Sequence, residues 1–211
     1  MRLERCGVGD RPGRRLHLRG VRVACDSMDE QLRDEILRRR DVDQEARMRA
    51  IELTRGMKPG ARPSAEARES MRRMQAIDRE NTAWLRQVVR EHGWPKRSRV
   101  GDDAASAAWL LVQHSDLDLA FQRECRRLLG DAVGAGEASA SDLAYLTDRI
   151  LRAEGRPQRY GTQLAPSADG GYEPQPLEDP ARVDELRATV GLGSLEEYAR
   201  QLRDVYGPEK G

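Results

Sequence analysis

Apolar positions recur at the spacing of an α-helix along most of the chain between residues 27 and 155. The first predicted helix starts at a Ser-Met-Asp-Glu capping box at Ser27 and ends at Gly56, before a Lys-Pro-Gly turn. A second helix is predicted to start at Ser64, and a third to span residues 81–92. Their predicted inward positions are Leu32, Ile36, Leu37, Ile51, Met71, Met74, Ile77, Trp84, Leu85, Val88 and Val89.

The most apolar run of the chain, Ala104 to Val112, predicts a central helix that is buried on all sides. It turns polar at Gln113 and His114, which therefore lie at its carbonyl end. Two further helices are predicted, and Gly155 is expected to close the second of them. The predicted caps of these three helices are Asp102 or Asp103, Ser115 or Asp116, and Ser139 or Ser141.

After Gly155 the helical period is lost, and prolines interrupt the chain until about residue 180. Residues 160–164 and 172–177 are predicted to pair as a short hairpin across Ala-Asp-Gly-Gly. Residues 181–205 return to a helical pattern, with Gly191 and Gly193 indicating a bend or two short helices. We therefore expect a mainly α protein with a small β-hairpin after the helix that contains the sequence YLTDR.

Composition limits the function classes and the domain organisation. The residues are 38% hydrophobic and 35% charged with a net charge of +1, so bulk charge gives no argument for nucleic acid or a membrane surface. We expect a single helical domain over residues 28–205 and a tail over 206–211. Residues 1–26 are predicted either to form a disordered arm or to result from a start codon that was assigned too far upstream.

The cysteine pattern and the apolar runs bear on the compartment. The three cysteines form no metal-binding pattern, which favours a reducing, cytoplasmic setting. No apolar run approaches the ~20 residues of a membrane span. The sequence leaves the oligomeric state open.

Three polar clusters adjoin the apolar helices. In the first, His114 follows Gln113 and precedes Asp116 and Asp118. The helix dipole and a carboxylate neighbour would raise the pKa of His114, while burial would lower it. One interpretation is a structural histidine that ties helix ends together; the other is a general acid or base that acts near neutral pH.

The second and third clusters have the same two interpretations. In YLTDR, Asp148 and Arg149 form either a solvated ion-pair face or a carboxylate that orients His114 beside a guanidinium that binds an anion. The sequence QRYGTQ is rich in side-chain donors and forms either an ordinary turn or a ligand-binding segment. Its candidate ligand-binding residues are Gln158, Arg159, Tyr160, Thr162 and Gln163.

The order of the motifs REHGWP, VGDDAASAAWLLVQHSDLD, DLAYLTDRILRAEGRPQRYGTQ and DPARVDELRATVGL resembles a family of mostly bacterial proteins catalogued as a domain of unknown function, number sixty-six twenty-four. The resemblance covers about residues 77–202. It favours convergence of the three clusters in one pocket. The residues it singles out are Gly93, Trp94, Pro95, Gly101, Gln113, His114, Asp148, Arg149, Gln158, Tyr160, Gly161, Thr162 and Gln163. The resemblance implies no reaction.

These observations lead to one functional expectation and two alternatives. We expect a pocket in which His114 and Asp148 form an acid–base pair, while Gln113, Arg149 and the QRYGTQ residues bind a small polar, anionic molecule. A hydrolase, lyase or transferase would fit such a pocket, with no cofactor, metal or nucleic acid. The first alternative is a binding or interaction module whose polar network is structural. The second, weaker one is a metal site with His114 and Asp116, Asp118 or Asp148.

Overall fold

The structure is a computed structural model that describes residues 17–55, 57, 60–167 and 172–206, with side chains from Asp29 onward except at Pro166 and Tyr206. It confirms the mainly α class with one small hairpin. The helices are α1 (His17–Thr54), α2 (Ala65–His92), α3 (Arg97–Gln113), α4 (Leu119–Gly134), α5 (Ala140–Ala153), α6 (Val183–Thr189) and α7 (Leu195–Tyr206). The strands are β1 (Leu164–Pro166) and β2 (Tyr172–Pro174). Within these described ranges, no helix is both long and apolar enough to cross a membrane.

Helices α1 and α2 differ from the predicted boundaries. The backbone is already helical at His17, since no proline lies between His17 and Ser27, and Ser27 therefore lies inside α1. The predicted stop at Gly56 and most of the following turn lie outside the described residues. Helix α2 is one helix where two were predicted, since residues 65–92 contain neither glycine nor proline. Its cap is confirmed at Ser64, whose hydroxyl accepts the Ala67 amide at 3.0 Å.

Helix α3 is the central helix that the apolar run predicted, and it packs against α1, α2, α4 and α5. It begins at Arg97, earlier than the predicted aspartate caps, and contains a non-helical residue at Gly101 with φ 80°. A Cβ atom at Gly101 would lie 2.5 Å from Arg33 Nη1. Only glycine tolerates both this φ and this close approach.

The remaining elements complete the bundle and add the hairpin. Helix α4 is capped by Asp118, which accepts the Phe121 amide at 3.1 Å, and not by the predicted Ser115 or Asp116. Ser139 precedes α5 as one of the two predicted caps. The hairpin pairs Leu164 with Pro174, so β1 begins where the predicted strand was expected to end. The predicted hairpin turn at residues 168–171 lies outside the described residues.

The core contains most of the predicted inward positions. One apolar cluster joins α2, α3, α4 and α5, and a smaller one joins α1 to the alanine-rich part of α3. Cys125 is buried in the first cluster, and burial raises the pKa of its thiol. Met71 and Met74 were wrongly predicted to face the core, since Met71 is exposed and Met74 lines a cleft beside α2.

Candidate active site

A cleft of about 570 Å³ lies between one face of α2, the carbonyl end of α3 and the turn that follows α3. His114 is the residue at which α3 ends, as the apolar pattern predicted, and it lines this cleft. On α2 the cleft extends from Met74 to Arg86. At ~1.5 Å per residue this is about 18 Å of helix, so the cleft is elongated.

The carboxylate that faces His114 belongs to Asp43 of α1. Nδ1 of His114 lies 2.9 Å from Oδ2 and 3.1 Å from Oδ1 of Asp43. Asp43 is 1% exposed, and it also accepts a hydrogen bond from the Gln44 side chain at 2.8 Å. Burial opposes ionisation of Asp43, but its contacts with His114 and Arg47 outweigh burial and hold its pKa below the ordinary value.

Arg47, one turn after Asp43 on α1, competes for the same ring nitrogen. Its Nε lies 2.8 Å from Nδ1 of His114 and 3.3 Å from Oδ1 of Asp43. A single nitrogen cannot both donate to Asp43 and accept from Arg47. We assign the proton to Nδ1, because a bare nitrogen would face an ionised carboxylate at 2.9 Å; Nε of Arg47 then donates to Oδ1 of Asp43 at 3.3 Å.

This assignment leaves a lone pair on Nε2, for which the described residues supply no hydrogen-bond donor. Because the ring lines the cleft, the lone pair is available to a ligand. Burial, together with the positive charges of Arg47 and Arg149, lowers the pKa of His114 although Asp43 opposes this. The ring is therefore neutral at pH 7 and has the protonation state of a general base.

Asp78 of α2 is the second carboxylate of the site. Its Oδ1 accepts from Nη2 of Arg47 at 2.5 Å. Burial and the nearby charge of Asp43 raise the pKa of Asp78 to about 6, despite the opposing effect of Arg47. Asp78 therefore gains a proton only as the pH falls to about 6, in a range where Asp43 stays ionised.

The three groups also have the composition of a metal site. Within the part of the chain that the structure describes, Asp43, Asp78 and His114 each offer a ligand atom, and these atoms lie within 4.8 Å of one another. The guanidinium of Arg47, however, bonds to Asp78 and contacts both other groups. A cation already lies among the three ligand atoms, and the arrangement fits a proton-transfer network better than a metal centre.

The turn after α3 forms the opposite wall of the cleft. Asp116 makes a two-point ion pair with Arg149, with Nε–Oδ1 at 2.7 Å and Nη2–Oδ2 at 2.5 Å. Arg149 also donates to the Gln163 side chain at 3.2 Å. The sequence placed Arg149 as an anion-binding group, but its fork is already used by Asp116, and it stands behind the cleft wall.

Asp148 is fully buried and serves the QRYGTQ segment instead of His114. Its carboxylate accepts from the backbone amides of Arg159 at 2.8 Å, Tyr160 at 3.1 Å and Thr162 at 2.9 Å. An ionised carboxylate that accepts several amides fixes the backbone of a loop. The expected pairing of Asp148 with His114 is therefore not what the structure shows, because Asp43 occupies that place.

The other predicted ligand-binding residues mostly bond within the loop. The Gln158 side chain accepts from the Gln163 amide at 2.7 Å and donates to the Gln163 carbonyl at 2.9 Å. Thr162 is buried, and its hydroxyl accepts from the Gln163 side chain at 3.3 Å. Exposed Arg159 lies over the Tyr160 ring, with 5.7 Å between the guanidinium carbon and the ring centroid. None of these five residues lines the His114 cleft.

Gln113 is 5% exposed, and it too lies outside the cleft lining. Its backbone carbonyl accepts from the Gln122 side chain at 3.3 Å. Its own Oε1 has no partner among the described residues. Gln113 therefore packs in the interior beside the site.

The sequence interpretation missed Asp43, Arg47 and Asp78. A signal for Asp43 was available, because it follows Ile36 by seven residues and precedes Ala50 by seven, which places it on the inward stripe of α1. A carboxylate on a buried stripe needs a partner. No comparable signal distinguished Asp78 from the four other acidic residues of α2.

Comparisons with known proteins identify a family. The model described as "Family of unknown function (DUF6624)" matches residues 30–210. Neither the curated proteins nor the solved structures include a significant match to the chain. The matched region starts well before the motif pattern at residue 77, so it includes Asp43 and Arg47.

Proposed function

The chain belongs to the family of unknown function DUF6624, and from the geometry of its cleft we propose an enzyme that transfers a proton through His114. The observation that carries this proposal is the Asp43–His114 contact at 2.9 Å, made by a residue that lines the cleft and whose Nε2 has no hydrogen-bond partner among the described residues. A buried carboxylate that orients a neutral imidazole is the arrangement of a general base.

The protons in the proposed step have defined positions. Nε2 of His114 takes a proton from water or from a substrate hydroxyl, and the resulting imidazolium is stabilised by Asp43. The imidazolium then returns this proton to the leaving group, which restores the neutral ring. Hydrolases, lyases and transferases share this exchange. We propose one of these three classes, with a small polar, anionic substrate in a cytoplasmic setting.

The first test is the titration of His114 itself. The chain has three histidines, so the ring signals are few enough to follow by NMR. We expect the His114 midpoint to lie below the ordinary value of ~6.5. The Asp43→Asn variant should lower it further, because the carboxylate that favours the imidazolium is lost. A wild-type midpoint above 7 would contradict the proposed neutral base.

The second test is turnover. A panel of small esters, phosphate esters and amides of carboxylic acids is assayed with the wild type, His114→Asn and His92→Asn. His92 lies in the last turn of α2 and outside the cleft, so it is the matched control. We expect hydrolysis of at least one compound to fall by about 100-fold or more in His114→Asn only. Equal rates in both variants would refute a role for His114.

A non-catalytic ligand-binding protein is the second candidate. It is favoured by the QRYGTQ segment, whose buried Gln158 side chain bonds to the Gln163 backbone and whose Thr162 backbone amide donates to Asp148. In this case the panel shows no turnover, while ligands still shift the His114 signal. The same experiments therefore separate the two functions.

A further inference from the structure

Three of the four arginines around the His114 cleft are paired with aspartates. Arg47 binds Asp78, Arg86 binds Asp118, and Arg149 binds Asp116 from behind the wall. The charges of Asp78, Asp118 and Asp116 are therefore neutralised by these arginines. The fourth arginine, Arg79, is exposed on the cleft face of α2 and makes no hydrogen bond or ion pair with any residue described in the structure.

The opposite wall presents an apolar side chain. Leu117 is 76% exposed, and it lies in the turn between His114 and α4. Met74 and Ala83 of α2 add apolar surface to the same cleft. An exposed leucine alone is ordinary, but here it joins other apolar groups beside a free imidazole nitrogen.

The positions along α2 give the cleft a direction. Arg79 precedes Arg86 by seven residues, which is about 10 Å along the helix. Arg86 forms an ion pair with Asp118, which follows Leu117 in the sequence. This ion pair holds the turn that contains Leu117 near the Arg86 end of the cleft. A ligand that bridges the two features needs an anionic end near Arg79 and a hydrocarbon part near Leu117.

We propose that the cleft binds an amphipathic anion, with its acidic group on Arg79 and a short hydrocarbon segment against Leu117. This inference rests on the proposed function for the use of His114, but it concerns binding alone. It refines the expected small polar anion to one with an apolar portion, and it moves anion recognition from Arg149 and Arg159 to Arg79.

The test uses unreactive probes, namely butanoate, hexanoate and octanoate, with hexylamine as the charge-reversed control. Binding is followed by the shift of the His114 ring signal at constant ionic strength. We expect affinity to rise about two- to threefold per methylene, less than for full burial because the cleft is open to solvent. We expect hexylamine to bind at least tenfold more weakly than hexanoate.

Three variants assign the contacts. Arg79→Gln should weaken all three acids by about tenfold and remove the preference over hexylamine. Leu117→Asn should flatten the dependence on chain length and leave butanoate nearly unchanged. Arg90→Gln, an exposed arginine on α2 outside the cleft, should have no effect.

The outcomes separate this inference from the proposed function. Equal binding of hexanoate and hexylamine, or an Arg79→Gln variant with wild-type affinity, would overturn the assignment of the anion site. An unchanged chain-length series in Leu117→Asn would overturn the apolar contact. His114→Asn should keep hexanoate affinity within about threefold, followed by calorimetry, while it removes turnover. Loss of turnover without loss of binding in this variant therefore supports both the proposed function and the anion site. Failure of the proposed function is seen in the turnover assay, and failure of the anion site is seen in the binding measurements.

Discussion

Replacing Asp148 with asparagine tests whether this buried residue organises the loop or takes part in chemistry. Asparagine keeps one acceptor oxygen and puts an NH₂ group in place of the other. One oxygen of Asp148 serves the amide of Arg159 at 2.8 Å and the other that of Thr162 at 2.9 Å, while Tyr160 lies 3.1 Å from both. At least one amide then loses its acceptor and meets a second donor.

The magnitude follows from these contacts. A hydrogen bond to a charged group contributes ~1.5–3 kcal/mol, and an orphaned buried donor has a similar cost. We therefore expect Asp148→Asn to lower the free energy of unfolding by about 3 kcal/mol. At ~2–4 °C per kcal/mol for a chain of this size, Tm should fall by about 6–12 °C in a calorimetric scan at pH 7.

A matched control and a second readout make the result decisive. Asp131→Asn changes an exposed aspartate of α4 and should move Tm by no more than about 2 °C. Modification of His114 by diethyl pyrocarbonate should proceed at the wild-type rate in Asp148→Asn below its melting range. A Tm equal to that of the control, with His114 reactivity lost, would show that Asp148 acts on the imidazole and would refute the loop-organising role.

Two further predictions concern stability. Burial raises the pKa of Asp142 to about 6, above its unfolded value, so its contribution to stability is complete below pH ~4 and is lost as pH rises through 6. Asp142→Asn should therefore raise Tm by about 2–4 °C at pH 8, after allowance for solvent screening, and leave it unchanged at pH 4; a decrease at pH 8 would contradict this. Gly101→Ala should cost about 1–3 kcal/mol in urea denaturation, because it forces a Cβ atom onto Arg33 at a positive φ. Gly130→Ala, inside α4 with ordinary contact distances, should instead add about 0.5–1 kcal/mol, and equal effects of the two changes would refute the argument.

The helices were predictable because each has a strong local signal. The apolar run of α3 predicted its central place, and Ser64 predicted the start of α2. The errors occurred where competing signals were weak. A run of 28 residues without glycine or proline forms one helix, although its apolar stripe suggested two.

The site was only half predictable for a different reason. His114 stood out because it ends an apolar helix, but its partner lies 71 positions away in the charged helix α1. Contact across that separation depends on how α1 docks on α3, which no local pattern encodes. Asp148 was predicted to orient His114, but a buried carboxylate that holds amides has the same sequence appearance as one that orients a histidine.

The Asp43–His114 contact crosses the interface between α1 and α3, and this has a consequence for dividing the chain. The recognisable motifs all lie after residue 77, so a fragment cut there would keep the cleft histidine and the QRYGTQ segment. It would lack the carboxylate, Arg47 and the helix that covers the alanine face of α3. The smallest portion of this protein that preserves the site therefore includes α1, the segment that the motif pattern left out.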